Sequence, residues 1–158
     1  MHEVITNLYK KVVDGSWSME TDWDLMRLSL REIIDKLTSR RPGPTSISIV
    51  QFGTTVQVVQ DFTANLAEAS LKAMEMKQIG GSTETRLALE RSHQLFKAQN
   101  LPHRKLVLLV TDGGSTGESP ITIAQTLKDD VRLYFTRVLN SFTFLRLSTL
   151  HVSELERV

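Results

Sequence analysis

The 158-residue chain predicts a single α/β domain: an open, doubly wound, mainly parallel sheet with one antiparallel edge strand and helices on both faces. Three observations lead there. Strand-like and helix-like segments alternate along the chain. The run at residues 106–111 (Leu-Val-Leu-Leu-Val-Thr) is the continuous apolar sequence that a central strand, buried on both faces, requires. Two strand-like runs also end alike, in an aspartate followed by a glycine turn: Val12-Val13-Asp14-Gly15 and Val110-Thr111-Asp112-Gly113.

Taken in order, the first strand is read from Val4, Ile5, Leu8, Tyr9, Val12 and Val13, with Lys10 and Lys11 set into it. A fully buried, unpaired lysine is costly, so the two ammonium groups are expected to snorkel out where the sheet is incompletely covered. From Thr21 the period changes. Trp23, Met26, Leu30, Ile33, Ile34 and Leu37 recur at spacings of three and four, an amphipathic helix that Thr21 or Asp22 can cap. Arg40-Arg41-Pro42-Gly43-Pro44 ends it, because proline cannot continue a helix and restricts the residue before it. The two arginines read as a solvated helix end, where cations suit the dipole.

Residues 46–52 and 55–62 form a hairpin around Gly53-Thr54, which supplies the antiparallel edge strand. Asn65 caps a helix through about Met76, with Leu66, Ala69, Ala73 and Met74 on its buried side and the methionines as core filling. Thr83 or Thr85 opens the next helix, which carries Leu87, Ala88, Leu95 and Phe96; His93 on it reads as a surface or packed histidine. Pro120 occupies the first turn of a helix through about Lys128, and residues 131–138 form a further strand. Residues 141–147 are read as a short helix, 149–152 as the last strand and 153–158 as the start of a terminal helix. The C-terminal part is thus expected to be abridged.

Composition narrows the functional classes. Hydrophobic content of 41% and charged content of 23% are those of an ordinary globular protein. A net charge of +1 gives no electrostatic reason to expect nucleic acid or an anionic membrane as partner. No apolar stretch approaches the roughly 20 residues of a membrane span, so a soluble chain without membrane insertion is expected. The absence of cysteine excludes disulfides, thiolate zinc sites and thiol nucleophiles.

The chemistry concentrates in Asp14-Gly15-Ser16-Trp17-Ser18, where one carboxylate and two hydroxyls can be aimed at a point. Hard cations such as Mg²⁺ take oxygen ligands at near-octahedral angles and keep several waters, so this set forms half of a cage. Two later stretches can supply the other half: Gly80-Gly81-Ser82-Thr83-Glu84-Thr85, which opens a helix, and the strand end at Asp112-Gly113-Gly114. In an open parallel sheet, ligands bind beyond the carboxyl ends of the strands. Asp14 and Asp112 both stand at such ends.

The order Asp-x-Ser-x-Ser, then Thr, then Asp resembles the von Willebrand factor A domain, also called the integrin inserted-domain fold, a Rossmann-like architecture. The resemblance covers about residues 8–138. It implies a metal-ion-dependent adhesion site formed by Asp14, Ser16, Ser18, Thr83 and Asp112, holding Mg²⁺ or Mn²⁺ in preference to Ca²⁺. An aspartate or glutamate of a protein partner would complete the ion, with Trp17, Ser82, Glu84, Gly114 and Ser115 lining the contact. Trp17 is read either as a rim contact or as a lid packed on neighbouring loops. The function implied is a non-enzymatic adhesion or assembly module, expected outside the cell or at its surface, with an intracellular home as the alternative.

Other readings meet obstacles in the sequence. Gly113-Gly114-Ser115-Thr116-Gly117 matches a Gly-x-Ser-x-Gly nucleophile elbow, with Asp130 and His151 in hydrolase order. An elbow needs a tight strand-to-helix turn, however, and this loop runs on to Pro120. Acid-first phosphatases need a second acid where Ser16 stands, and neither nucleotide-binding glycine pattern is present. A metal-assisted hydrolase would need a general base near the ion, for which Glu84 and Glu118 are the candidates. A metal-independent structural domain of a larger matrix or assembly protein is the remaining alternative.

Overall fold

A computed structural model describes residues 6–40, 44–99, 103–112, 114–137 and 148–149. The strands are β1 (Thr6–Asp14), β2 (Thr45–Phe52), β3 (Val56–Thr63), β4 (His103–Thr111), β5 (Arg132–Arg137) and β6 (Ser148–Thr149). The helices are α1 (Trp23–Arg40), α2 (Leu66–Glu75), α3 (Thr85–Lys97) and α4 (Ile121–Asp130), and a 3-10 helix, Trp17–Asp22, leads into α1. One sheet runs in the order β3-β2-β1-β4-β5-β6. β1 pairs in parallel with both β2 and β4, and β4 in parallel with β5.

The strand of residues 106–111 therefore lies beside the first strand in the middle of the sheet. β3 forms the antiparallel edge expected of the hairpin. The opposite edge, β6, is also antiparallel, which sequence reading did not foresee. It coincides with the start of the expected last strand; the helices read at 141–147 and 153–158 lie outside the described residues.

Alternation along β1 builds two cores. Leu8 and Val12 pack with Ala88, Leu89 and Phe96 of α3 and with Ala124 and Leu127 of α4. Tyr9 and Val13 face the other way, onto Met26, Leu30 and Ile34 of α1 and Ala69 and Ala73 of α2. Period 2 in the strand thus meets period 3.6 in the helices on both faces, which is the doubly wound arrangement. At the cap of α2, the Asn65 side chain accepts the Glu68 N–H at 3.2 Å. Met76 is buried and Met74 half-buried. On α3, Leu89 fills the core while Leu87 and Leu95 are half-buried.

The lysines of β1 are where the sequence expectation fails. Lys10 and Lys11 do not snorkel into solvent: they are 0% and 2% exposed. Both faces of the sheet are covered at this level, so each long stem becomes core volume. Among the described residues the Lys10 ammonium finds no hydrogen-bond partner. It stands instead 4.6 Å from the ring centre of Phe62 on β3 and 4.9 Å from that of Phe96 on α3, whose faces attract a cation. Lys11 stands 5.9 Å from the Tyr9 ring. Burial lowers both lysines from 10.5 to about 7; for Lys10 the charge of Asp61 opposes this and that of Arg91 adds to it.

Protonation of Lys10 and Lys11 should accordingly govern the pH dependence of stability. Between about pH 7 and 10.5 the unfolded chain holds protons that the folded chain has lost, so stability rises with pH across that window. Lys10→Met removes the buried charge and keeps the volume. It should stabilise the fold by about 1–4 kcal/mol at pH 6, and much less at pH 10. Urea titrations of both proteins at the two pH values measure this, and a variant less stable than wild type at pH 6 would refute it.

Candidate functional site

The carboxyl ends of β1 and β4 build the site. Their register sets Val13 beside Val110, so Asp14 emerges next to Thr111. The Thr111 hydroxyl donates to Asp14 Oδ2 at 2.5 Å and the Ser16 N–H to Oδ1 at 2.9 Å. Asp14 is fully buried. Burial pushes its carboxyl above the usual range; hydrogen bonds from Thr111 and Ser16 pull it back, and the charge of Asp112 pushes it further up. That influence places Asp112, half-buried one residue beyond β4, within electrostatic reach of Asp14.

After Asp14 the chain crosses its neighbours so closely that a side chain would not fit. The Gly15 N–H donates to the Phe52 carbonyl at 2.6 Å, and the Gly15 carbonyl accepts the Gly80 N–H at 2.7 Å. A Cβ on Gly15 would lie 2.5 Å from Gln51 Nε2. The 3-10 turn then brings the hydroxyls of buried Ser16 and exposed Ser18 to 3.1 Å of each other. Gln78 Nε2 holds this turn from beneath, donating to the Ser16 carbonyl at 2.6 Å.

Gly80 and Gly81 have φ of +78° and +76°, a conformation that side chains resist. Through it the Trp17 N–H reaches the Gly81 carbonyl at 3.2 Å, and the Ser82 N–H reaches Thr54 Oγ1 at 3.0 Å. Thr83 follows, 5% exposed. The loop after Asp112 clamps its backbone from the other side. The Thr83 N–H donates to Thr116 Oγ1 at 2.8 Å, and the Thr83 carbonyl accepts the Thr116 N–H at 3.1 Å and the Ser115 hydroxyl at 3.3 Å. The Thr83 hydroxyl enters none of these bonds.

The structure thus gathers Asp14, Ser16, Ser18, Thr83 and Asp112 at one end of the sheet. Around them stand the expected contact residues. Trp17 is 64% exposed and lies against the backbone of Gly80, where a Cβ would be 3.0 Å from its ring. The half-buried Ser82 hydroxyl donates to Glu84 Oε1 at 3.3 Å, and the Glu84 carboxylate fills the space beside Gly117. Gly114 is exposed and Ser115 half-buried. Among the described residues no three His, Cys, Asp or Glu side chains cluster as a metal site, so an ion here would depend on hydroxyl ligands.

Sequence reading missed Thr111, Thr116, Thr54 and Gln78, which hold the site together from behind. Thr111 left a signal, a hydroxyl closing an apolar run opposite Asp14. The other three act across loops whose meeting no local pattern announces.

The nucleophile-elbow reading loses its acid. Asp130 borders a cavity of about 530 Å³ with Asn7, Tyr9 and Arg104, at the amino ends of the strands and so at the far end of the sheet from Ser115. His151 lies outside the described residues. Of the two candidate bases, Glu118 pairs with Arg86 at 3.3 Å and Glu84 is bonded to Ser82.

A strand-end aspartate, a serine turn and a threonine loop on a doubly wound sheet define a class, and the chain belongs to it: the von Willebrand factor type A domain family, whose model matches residues 11–151. Domains of this family typically serve in protein–protein interaction and adhesion.

Among solved structures, proximal thread matrix protein 1 of the mussel byssus is 23% identical, with a TM-score of 0.75 over 88% of this chain and 39% of that one. The manganese-loaded TRAP protein of Plasmodium vivax is 21% identical, with a TM-score of 0.74 over 87% and 59%. The type V pili tip protein Mfa5 of Porphyromonas gingivalis is 18% identical, with a TM-score of 0.61 over 89% and 22%. The chain therefore spans less than two thirds of each of these proteins. Comparison with curated protein sequences finds no match.

The clamp on Thr83 is open to measurement. Thr116→Val removes the acceptor of the Thr83 N–H and should cost about 1 kcal/mol, read from the denaturant midpoint, whereas Thr116→Ser should restore it. Equal stability of all three proteins would show that the two loops do not depend on this bond.

Proposed function

We propose that the chain is a non-enzymatic protein-interaction module, in which Asp14, Ser16, Ser18, Thr83 and Asp112 hold a divalent cation and a partner's aspartate or glutamate completes it. The observation that carries this reading is the serine turn beside a buried carboxylate: the Ser16 and Ser18 hydroxyls share a hydrogen bond at 3.1 Å, Asp14 is buried next to them, and the Thr83 hydroxyl enters no hydrogen bond among the described residues. Carboxylate and hydroxyl oxygens are the donors that hard cations such as Mg²⁺ take. The Plasmodium vivax relative, solved manganese-loaded, supports the same choice.

When bound, the ion would supply a positive charge that attracts an outside carboxylate. The rest falls to the chain's own residues. Thr111 and the Ser16 amide aim the Asp14 carboxylate, Thr116 fixes the height of Thr83, and three neutral hydroxyls leave the cation short of anionic ligands. A carboxylate from outside is what such a site lacks. Trp17, Ser82, Glu84, Gly114 and Ser115 would line its approach. No bond need break, and the two glutamates that could act as bases are already engaged. The similarity to a byssus matrix protein and a pilus tip protein favours an extracellular or surface role.

Calorimetric titration of Mg²⁺ into the chelated protein tests the cage. Wild type should bind weakly, in the millimolar range; at tenfold saturation this adds about 1.4 kcal/mol of stability. Asp14→Ala should abolish binding, and Thr83→Ala should weaken it without unfolding the domain. A melting temperature unmoved by chelator in millimolar Mg²⁺ would leave a metal-independent structural domain as the answer.

A further inference from the structure

The end of the sheet opposite Asp14, at the amino ends of the strands, holds the cavity of about 530 Å³, a volume in the range of small-molecule sites. Paired residues of a parallel sheet point to the same face. The register Asn7↔Arg104 and Tyr9↔Leu106↔Arg132 therefore sets five of the lining side chains on the α1 side of the sheet. Tyr9 and half-buried Leu106 form the apolar floor. Asn7 is 8% exposed, and its side-chain amide makes no hydrogen bond among the described residues, although buried amides are ordinarily paired.

The charges give the sign of what would bind there. Arg104, Lys105, Lys128 and Arg132 line the cavity against Asp129 and Asp130. Lys105 pairs in register with Leu8 of the α3/α4 core and so points to the other face. There it and Asp130 act on His93 of α3: burial and the charge of Lys97 lower that histidine, Asp130 opposes this and Lys105 adds to it. That leaves Arg104, Arg132 and Lys128 against Asp129, an excess of positive charge. None of these four side chains makes an ion pair or hydrogen bond among the described residues. Arg104 and Arg132 stand on neighbouring strands, offset by two residues, so their Cα atoms are about 8 Å apart and both guanidinium groups can reach one ligand.

We propose that this cavity binds a small phosphate monoester, its dianionic head held between Arg104 and Arg132 and its organic body lying on Tyr9 and Leu106. Each guanidinium presents a planar fork that takes two oxygens. A phosphate dianion has oxygens enough for both forks, whereas one fork already saturates a carboxylate. The Asn7 amide, level with Arg104 in the register, can donate to the same head. The site shares no residue with the cluster around Asp14 and does not depend on a metal there.

The test titrates phenyl phosphate into isotope-labelled protein in EDTA, which keeps divalent ions away, and follows the backbone amide NMR signals. Wild type should bind with a Kd on the order of 0.1–1 mM, as fits a ligand of this size, and the shifts should centre on Asn7, Arg104 and Arg132. Inorganic phosphate, which has no body to lay on Tyr9 and Leu106, should bind at least about fivefold more weakly, and benzoate at least about tenfold more weakly. Arg104→Gln and Arg132→Gln should each weaken phenyl phosphate about tenfold. Lys97→Gln alters the charge at the same end without touching the cavity, and should leave the affinity within about twofold of wild type.

No shift at millimolar phenyl phosphate, or shifts centred on Ser16 and Thr83 instead, overturns the site. An equal loss in Lys97→Gln overturns it as well, because it marks diffuse attraction of any anion. Equal affinity for inorganic phosphate refutes the monoester, and equal affinity for benzoate refutes the two-fork cradle. Both arginines are exposed, so their variants should keep the wild-type spectrum away from the cavity. A variant that loses that spectrum is replaced by Arg104→Lys or Arg132→Lys, which keeps the charge, removes the fork and should still weaken binding.

Discussion

The parallel pairing of β1 with β4 is the constraint on which the rest of the molecule depends. The register that sets Val13 beside Val110 places Asp14 next to Thr111, and Asp112 just beyond. A slip of one residue would turn every side chain of β1 to the opposite face, moving Leu8 and Val12 out of the α3/α4 core and Asp14 off the Thr111 hydroxyl. The apolar pattern that forbids such a slip is therefore also what positions the site. Packing and chemistry are specified by the same residues.

Above the strand ends, backbone groups hold the site more than side chains do. Gly15, Gly80 and Gly81 let three chain segments cross within hydrogen-bond distance, and the N–H and carbonyl groups thus brought together satisfy one another. Buried backbone groups without partners would be costly, so the loops can stay close only in this arrangement. The hydroxyls of Ser16, Ser18 and Thr83 are carried on a frame that does not need them for its own hydrogen bonds to the backbone.

Much of this was legible in the sequence, and the reasons are specific. The run at residues 106–111 is apolar without alternation, which only a doubly covered strand permits, and it lies at the centre of the sheet. Asn65 signalled its cap because its side chain competes locally for a backbone N–H. Asp14, Ser16, Ser18, Thr83 and Asp112 were singled out together by the resemblance that their order carries, and they stand at the carboxyl ends of β1 and β4 and before α3. The 3-10 turn, the second antiparallel edge and the hydrogen bonds from Thr111, Thr116 and Gln78 were not. Each of these depends on which loops meet in space, and local periodicity carries no such information. Lys10 and Lys11 misled for a different reason, since their charge was read as fixed whereas burial makes it negotiable.

The two kinds of buried ionisable group in β1 show how function differs from tolerance. Asp14 and Lys10 are both 0% exposed, four residues apart on one strand. Asp14 is met by converging donors, Thr111 Oγ1 and the Ser16 N–H, which favour its charged form against the pull of burial and aim its oxygens at the serine turn. Lys10 meets the faces of Phe62 and Phe96, which can host a cation but also accept a neutral amine, and among the described residues no hydrogen-bond acceptor. A fold that merely tolerates a titratable residue can let it lose its charge. One that uses a charge must spend donors on keeping it, and in β1 those donors are found at Asp14 alone among the described residues.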